Sequence, residues 1–443
     1  MRSAMSRLLA VLSILLLPAG CSRSGSSPSS PVPDDSSAAG ASSAPPASGA
    51  SPAAYRPQQF HGSPANFYVP PKPMPKVAHG TLLRYQRTKL TIPGGTAWKV
   101  MYASTSLAGR SIAVTGIVVV PTGNAPEGGW KLISVAHGTT GIADDCAPSR
   151  FDVPENVDTT SAYTVALSRG DYRRFAEDGY LKAGYVLSFT DYEGLGTPGV
   201  HPYLVGPSER RSVLDAARAA RRLPHTPVRK SFAIWGYSQG GHAAAWANDL
   251  AAKWTPELHL MGSVAGGPVS ELNLVANTLG STSMEPSLFF MIIAGYAAAY
   301  PELHPSDVLT PAGIRVMQKF EAHCGAYPGA VRGQKLSDLV KPGFDSNTAW
   351  QRRLGESNPG QYGSQAPAAP LLILHSADDE VVPAFLSKTM LDRICRIGWT
   401  VERRIYHNGK GHVAEVPNAM ADALPWINAR MAGKKPASNC TKK

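Results

Sequence analysis

Cysteine is scarce in this chain of 443 residues, and none of the five present is arranged as Cys-x-x-Cys or set into a histidine cluster. A metal site is therefore not expected. Also missing is any strong basic stripe interleaved with aromatics. The net charge is +11, yet without such a stripe nucleic acid is not an expected partner; attraction to an anionic envelope or plain solubility accounts for the excess. The apolar run Leu8 to Leu17 is too short to span a bilayer. Residues 22–54 are mostly Ser, Ala, Pro and Gly with almost no bulky apolar side chains. Such a stretch buries too little surface to offset the entropy of ordering, so it reads as a flexible spacer.

What is present begins with a targeting segment. Arg2 and Arg7 precede the apolar run, so residues 1–20 read as a signal peptide. The string Leu17-Pro18-Ala19-Gly20-Cys21 resembles the lipobox of bacterial lipoproteins, whose cysteine becomes the lipidated first residue. Cys21 is accordingly the expected lipid attachment site, with residues 21–58 as the tether and a lipid-anchored envelope location. Ordinary cleavage and secretion is the alternative. The globular part is expected to start near residue 60.

The whole chain is 43% hydrophobic and 17% charged, which is a globular composition. Strand-like runs at 111–120, 131–136, 183–190, 231–236, 259–265, 370–375 and 400–406 alternate with helix-like stretches, the clearest being 208–223 with Val213, Ala216, Ala217 and Ala220 on one face. This alternation predicts an α/β fold with a mostly parallel sheet covered on both faces. The rhythm breaks between 267 and 368, where 289–299 and 311–323 look helical without a βαβ unit. An inserted helical cap is expected there, within a catalytic domain of 59–266 and 369–443. The run Leu288 to Ile293 is apolar all round; core packing and the lining of an acyl chain both fit it.

Cys146, Cys324, Cys395 and Cys440 make an even set in an exported chain, which argues for two disulfides. Three pairings are open. The expected set is Cys395 with Cys440, stapling the tail to the last domain helix, and Cys146 with Cys324, tying a loop near the site to the insertion.

Gly236-Tyr237-Ser238-Gln239-Gly240 lies between a strand and a helix-favouring run. On such an elbow a serine hydroxyl projects above the sheet and the following amide points at the same spot, which makes Ser238 a candidate nucleophile. Its partners should follow other strands at their carboxyl ends. After 370–375 comes Asp378-Asp379-Glu380-Val381-Val382-Pro383, and after 400–406 a glycine-rich loop presents His412. The order Ser, Asp, His is that of an α/β-hydrolase. The string Asp379-Glu380-Val381-Val382-Pro383 resembles the Asp-x-x-Val-Pro pattern common after the acid-bearing strand of that fold, and this resemblance implies Asp379 as the acid with Asp378 as the alternative, although either could instead cap the helix near Ala384. His242, His375 and His407 are expected to pack or hydrogen-bond, and Asp191, Tyr192 and Glu193 to brace their loop.

Three strings now carry a resemblance: 137–149 (His137-Gly138-Thr139-Thr140-Gly141 to Cys146-Ala147-Pro148-Ser149), 190–199 (Thr190-Asp191-Tyr192-Glu193-Gly194 to Gly199) and the elbow itself. Together they resemble the secretory lipase family of α/β-hydrolases over roughly residues 75–430. That resemblance implies a Ser238-Asp379-His412 triad, a helical cap between nucleophile and acid, hydrolysis of carboxylic esters such as acylglycerols, and no cofactor or metal. It also implies an oxyanion hole from the Gln239 amide and one in the loop after His137-Gly138, for which Thr139 is chosen and Thr140 held as fallback. A short-chain or xenobiotic carboxylesterase is the first rival. A tethered lipid-binding protein on a hydrolase fold is the second, and the filled triad positions argue against it. A monomer is expected.

Overall fold

The structure, a computed structural model, describes residues 55–150, 172–281, 286–324, 330–331, 333–361 and 369–440. The signal peptide, Cys21 and the spacer lie outside the described residues. In chain order the strands are β1 (Gln58–Gln59), β2 (Leu82–Ile92), β3 (Gly95–Thr105), β4 (Ser111–Pro121), β5 (Trp130–Ala136), β6 (Tyr185–Thr190), β7 (Val228–Tyr237), β8 (His259–Gly266), β9 (Leu371–Ser376) and β10 (Val401–Tyr406). They form one sheet in the order β1-β2-β3-β4-β6-β5-β7-β8-β9-β10. From β6 to β10 every neighbouring pair is parallel, whereas β2, β3, β4 and β6 pair antiparallel.

Among the described residues the longer helices are α1 (Gly206–Ala220), α2 (Gln239–Trp254), α3 (Leu272–Ser281), α4 (Pro286–Ala299), α5 (Pro311–Ala322), α6 (Thr348–Glu356), α7 (Ala384–Arg396) and α8 (Val416–Met431). Alternation along the central strands decides which helix covers which face. Leu132, Phe232 and Ile234 pack under Val213, Ala216, Ala217 and Ala220 of α1 and Ala243, Ala244 and Ala247 of α2. Their sequence neighbours Ile133, Val135, Ala233 and Trp235 point the other way, into Ala419, Met420, Ala423 and Trp426 of α8. The alanine-rich faces let α1 and α2 lie close to the sheet. Burying a face on both sides explains why these strands read as continuous apolar runs.

The register sets where the site can be. Ala136 pairs with both Thr190 and Gly236, Gly236 with Ala265, Gly266 with Leu374, and Ser376 with Tyr406. The carboxyl ends of β5 to β10 therefore finish in one row, and the loops that follow them open onto the same edge of the sheet.

Between β8 and β9 the chain builds α3 to α6 and one antiparallel bridge, Leu309 to Val340. Phe289, Phe290, Met291, Ile292 and Ile293 of α4 have no exposed surface. Phe290 stacks on Phe320 of α5 with ring centres 6.0 Å apart, and Phe289 meets Phe344 edge-on at 5.3 Å. An apolar girdle on α4 is thus used in packing, one side of it against Tyr203, Leu204 and Val205 just before α1. Disulfides join Cys146 to Cys324 and Cys395 to Cys440. The first links the loop after β5 to the end of α5; the second fixes the C-terminal tail to α7.

Gly295 lets α4 seat on that segment: a Cβ there would lie 2.4 Å from the Tyr203 nitrogen. Gly295→Ala is expected to lower unfolding free energy by about 1–3 kcal/mol through overpacking, read from denaturant midpoints. Unchanged stability would contradict this seating.

Candidate active site

The strand-to-helix turn at Ser238 is forced by crowding. A Cβ on Gly236 would come 2.0 Å from the Gly240 carbonyl oxygen, and one on Gly240 would come 2.0 Å from that of Ala136. Only glycine allows β5, β7 and the first turn of α2 to approach so closely. Ser238 itself adopts φ 59° and ψ −120°, a conformation that a residue with a Cβ holds at a cost. The turn is pinned from both sides: Ser238 N donates to Gly266 O at 2.8 Å, and Ser238 O accepts from His242 N at 3.1 Å. Ser238 is half-buried.

Two loops away, His412 Nδ1 donates to Asp379 Oδ2 at 2.6 Å. Both side chains are nearly inaccessible, and the Tyr237 hydroxyl, adjacent to Ser238, donates to His412 O at 2.8 Å. The other ring nitrogen, Nε2, is buried and has no hydrogen-bond partner among the described residues. Asp379 Oδ1 accepts from the amides of Val381 (3.0 Å) and Val382 (2.6 Å), so the acid closes its own loop while holding the histidine. Burial alone would raise the Asp379 carboxyl. The His375 ring 3.2 Å away, the hydrogen bond from His412, the His412 charge and the Val382 amide outweigh it, holding the group well below the usual carboxylate range. Asp378 faces elsewhere, accepting from Gly409 N at 3.2 Å.

On the far side of Ser238 lies the loop after β5. A Cβ on Gly138 would sit 3.8 Å from Ser238 Cβ, and the Thr139 hydroxyl bonds Tyr203 Oη at 2.7 Å. Gln239, the residue after the serine, is wholly buried, its side-chain amide donating to His201 Nε2 (2.7 Å) and Glu209 Oε1 (2.8 Å). Glu209 Oε2 lies 2.8 Å from His242 Nδ1, while His242 Nε2 donates to Ser357 O at 2.9 Å. Glu209 and His201 therefore hold both ends of the first turn after the nucleophile. Sequence reasoning passed over both, although a visible signal existed: Glu209 falls four residues before Val213, a charge on the apolar face of α1.

Asp191 accepts from Thr115 Oγ1 (2.7 Å), Ser149 N (3.0 Å) and Ser149 Oγ, and burial raises its carboxyl. Tyr192, at φ 70°, donates its hydroxyl to His137 O at 3.0 Å. Glu193 accepts from Ser208 Oγ at 2.5 Å. All three tie loops together behind the serine. His407 is exposed, and His375 is buried against Asp379. Among the described residues no group of three or more His, Cys, Asp or Glu could hold a metal ion.

A family model described as secretory lipase matches residues 175–439. The chain belongs to the secretory lipase family. As a member of it the protein is an exported carboxylic ester hydrolase with the α/β-hydrolase fold. Lipase 5 of Candida albicans is 26% identical over 394 residues, covering 84% of this chain and 82% of its own. A secreted triacylglycerol lipase of Malassezia globosa matches to the same extent, and a probable inactive lipase of Mycobacterium tuberculosis is 25% identical over 392 residues (83% and 82%). Among solved structures, Candida antarctica lipase A superposes with a TM-score of 0.70 at 22% identity, covering 85% of this chain and 87% of that one. The rice cell wall degrading esterase LipA of Xanthomonas oryzae gives 0.59 at 21%, covering 80% and 97%. No helix among the described residues is long and apolar enough to cross a membrane.

Burial lowers His137 from 6.5 to about 4, against the opposing bond from its Nδ1 to Gly138 O. The unfolded chain therefore takes up a proton between these values that the folded chain refuses. The stabilising contribution is complete above pH 6.5 and is lost as pH falls toward 4. In His137→Gln that loss should disappear, so the stability advantage of the wild type shrinks by about 3 kcal/mol on acidification through this window. Parallel curves of unfolding free energy against pH would contradict it.

Proposed function

We propose that this family member hydrolyses lipid esters of the acylglycerol type through a serine acyl-enzyme. Ser238 attacks the ester carbonyl while His412 takes its proton at Nε2. Asp379 keeps the proton on Nδ1 and stabilises the imidazolium that forms; with its own carboxyl held so low, it does not take that proton itself. His412 then protonates the leaving alcohol, and a water activated by the same nitrogen releases the acid. The oxyanion is received by the amides of Gln239 and Thr139, with Thr140 as the alternative in the same loop. The observation that carries this reading is the buried His412–Asp379 bond of 2.6 Å with the far ring nitrogen unbonded among the described residues, and with Tyr237, the residue before a serine held at φ 59°, bonded to His412 O at 2.8 Å.

Acylglycerol esters are favoured because relatives carry the name triacylglycerol lipase. Residues 267–368 would act as a cap over the site, within a catalytic domain of 59–266 and 369–443. Residues 1–20 would direct export and Cys21 would carry the lipid, with the following tether holding a monomeric enzyme off an envelope surface.

The test is hydrolysis of p-nitrophenyl esters of increasing acyl length by the mature chain and by Ser238→Ala. The variant is expected to lose at least about a thousandfold in kcat, and the wild type to retain rate on long chains. Activity restricted to short chains would support the carboxylesterase reading instead, and a folded wild type inert on every ester would support a binding protein.

A further inference from the structure

Glu380 follows the acid residue in the loop after β9, and its carboxylate turns across to the loop that carries the base. The backbone ladder between β9 and β10 ends with Ser376 beside Tyr406 and a bond from Ala377 N to Tyr406 O at 2.8 Å. Beyond it, side chains of the β9 loop join the two segments. Ser376 Oγ donates to Lys410 O, Asp378 Oδ2 accepts from Gly409 N at 3.2 Å, and Glu380 Oε2 accepts from His412 N at 2.9 Å. Gly411 leaves the room that this last carboxylate takes: a Cβ there would lie 2.2 Å from Glu380 Oε2 and 2.8 Å from its Cδ. His412 is therefore gripped at three points, by Glu380 at its backbone nitrogen, by Tyr237 at its carbonyl oxygen and by Asp379 at Nδ1. Tyr237 and Asp379 are buried, whereas Glu380 is exposed. Core packing thus gives no account of a carboxylate at this position.

We propose that Glu380 is a positioning residue for ester hydrolysis: its carboxylate fixes His412 through the backbone nitrogen, and its charge adds to that of Asp379 in stabilising the imidazolium that forms when Ser238 loses its proton. The proposal rests on the Ser238–His412–Asp379 reading. A ring is placed no better than the backbone that carries it, and a misplacement of about 1 Å at a reacting group costs up to about a hundredfold in rate. A negative charge beside a histidine favours its charged form, by an amount that water and salt reduce where the charge is exposed. Other groups face His412 from each element packed on it. Asp379 lies on Nδ1 with the His375 ring 3.2 Å behind it; Tyr237 of β7 has its ring 5.2 Å away and its hydroxyl pushed up by burial, with Asp379, Glu415 and Glu380 adding to that effect. Gly267, after β8, brings no charge. Glu415, just before α8, accepts from Asn408 Nδ2 at 2.9 Å and Asn418 Nδ2 at 2.8 Å. Asp378, His407 and Lys410 are the other titratable residues of the two loops. All of these stay in place when Glu380 alone is changed.

The experiment compares kcat, KM and the pH profile of kcat/KM on one soluble ester for wild type, Ser238→Ala, Glu380→Gln and Glu380→Ala, at low and high salt, with thermal melting of each. Glutamine keeps an oxygen that can accept from His412 N but carries no charge, whereas alanine removes both. In both Glu380 variants the acid limb is expected to move down by about half a pH unit at low salt, and by less at high salt. Glu380→Ala should lose about tenfold in kcat with little change in KM, and Glu380→Gln should recover most of that rate. A role confined to folding would lower the melting temperature and leave the limb where it is. An unmoved limb in both folded variants, a wild-type kcat in Glu380→Ala, or equal losses of kcat in the two variants would each overturn the proposal. Should Glu380→Ala not fold, Glu380→Gln decides: a limb moved down supports the proposal and an unmoved limb overturns it. If Ser238→Ala stays active, the serine reading itself has failed, which is a separate result; if it is inert and the limb stays in place, only the role of Glu380 has failed.

Discussion

Everything at the site depends on a close approach of backbones that no side chain could enter. Gly236 and Gly240 let β7 turn into α2 against the end of β5, with gaps of 2.0 Å for any added Cβ. That contact puts Ser238 at the top of the sheet and in the left-handed region, a strain held because its amide and carbonyl are both bonded to neighbours. The loops carrying Asp379 and His412 arrive beside it because β7, β8, β9 and β10 end in register. A shift of register at any of these ladders would separate the groups, so the geometry of the site is a property of the sheet before it is one of the loops.

Buried carboxylates do the rest of the fastening. Asp379 closes its own loop through two amides and faces two histidines. Glu209 spans Gln239, His242 and the Leu204 amide (3.1 Å). Asp191 ties Thr115 to Ser149. Each lies where an unpaired charge would cost several kcal/mol, and each is surrounded by donors. This arrangement trades adaptability for rigidity.

The central strands, the elbow and the acid and base loops were legible because their chemistry constrains residue type at fixed spacing. The first part of the sheet was not read. β2 carries Arg84, Gln86, Arg87 and Lys89, half exposed near the sheet edge, and pairs antiparallel outside the strand-helix rhythm that organised the reading. Its one signal was the Pro93-Gly94 turn, with Gly94 at φ 71°. The partners of Glu209 were not legible for a different reason: its place on the apolar face of α1 was visible, but Gln239 and His242 come from another part of the chain. The all-round apolar run of α4 favoured packing over ligand lining on sequence alone, and its contacts with Phe320 and Phe344 show the packing.

The most direct test of this account is to treat the enzyme with an alkyl fluorophosphonate, follow ester hydrolysis, and map the adduct by peptide mass spectrometry. The account predicts a single phosphonyl group on the peptide carrying Ser238, with hydrolysis lost in proportion to labelling. Hydrolysis that continues while Ser238 is fully labelled, or that is lost with the adduct on another residue, would contradict it.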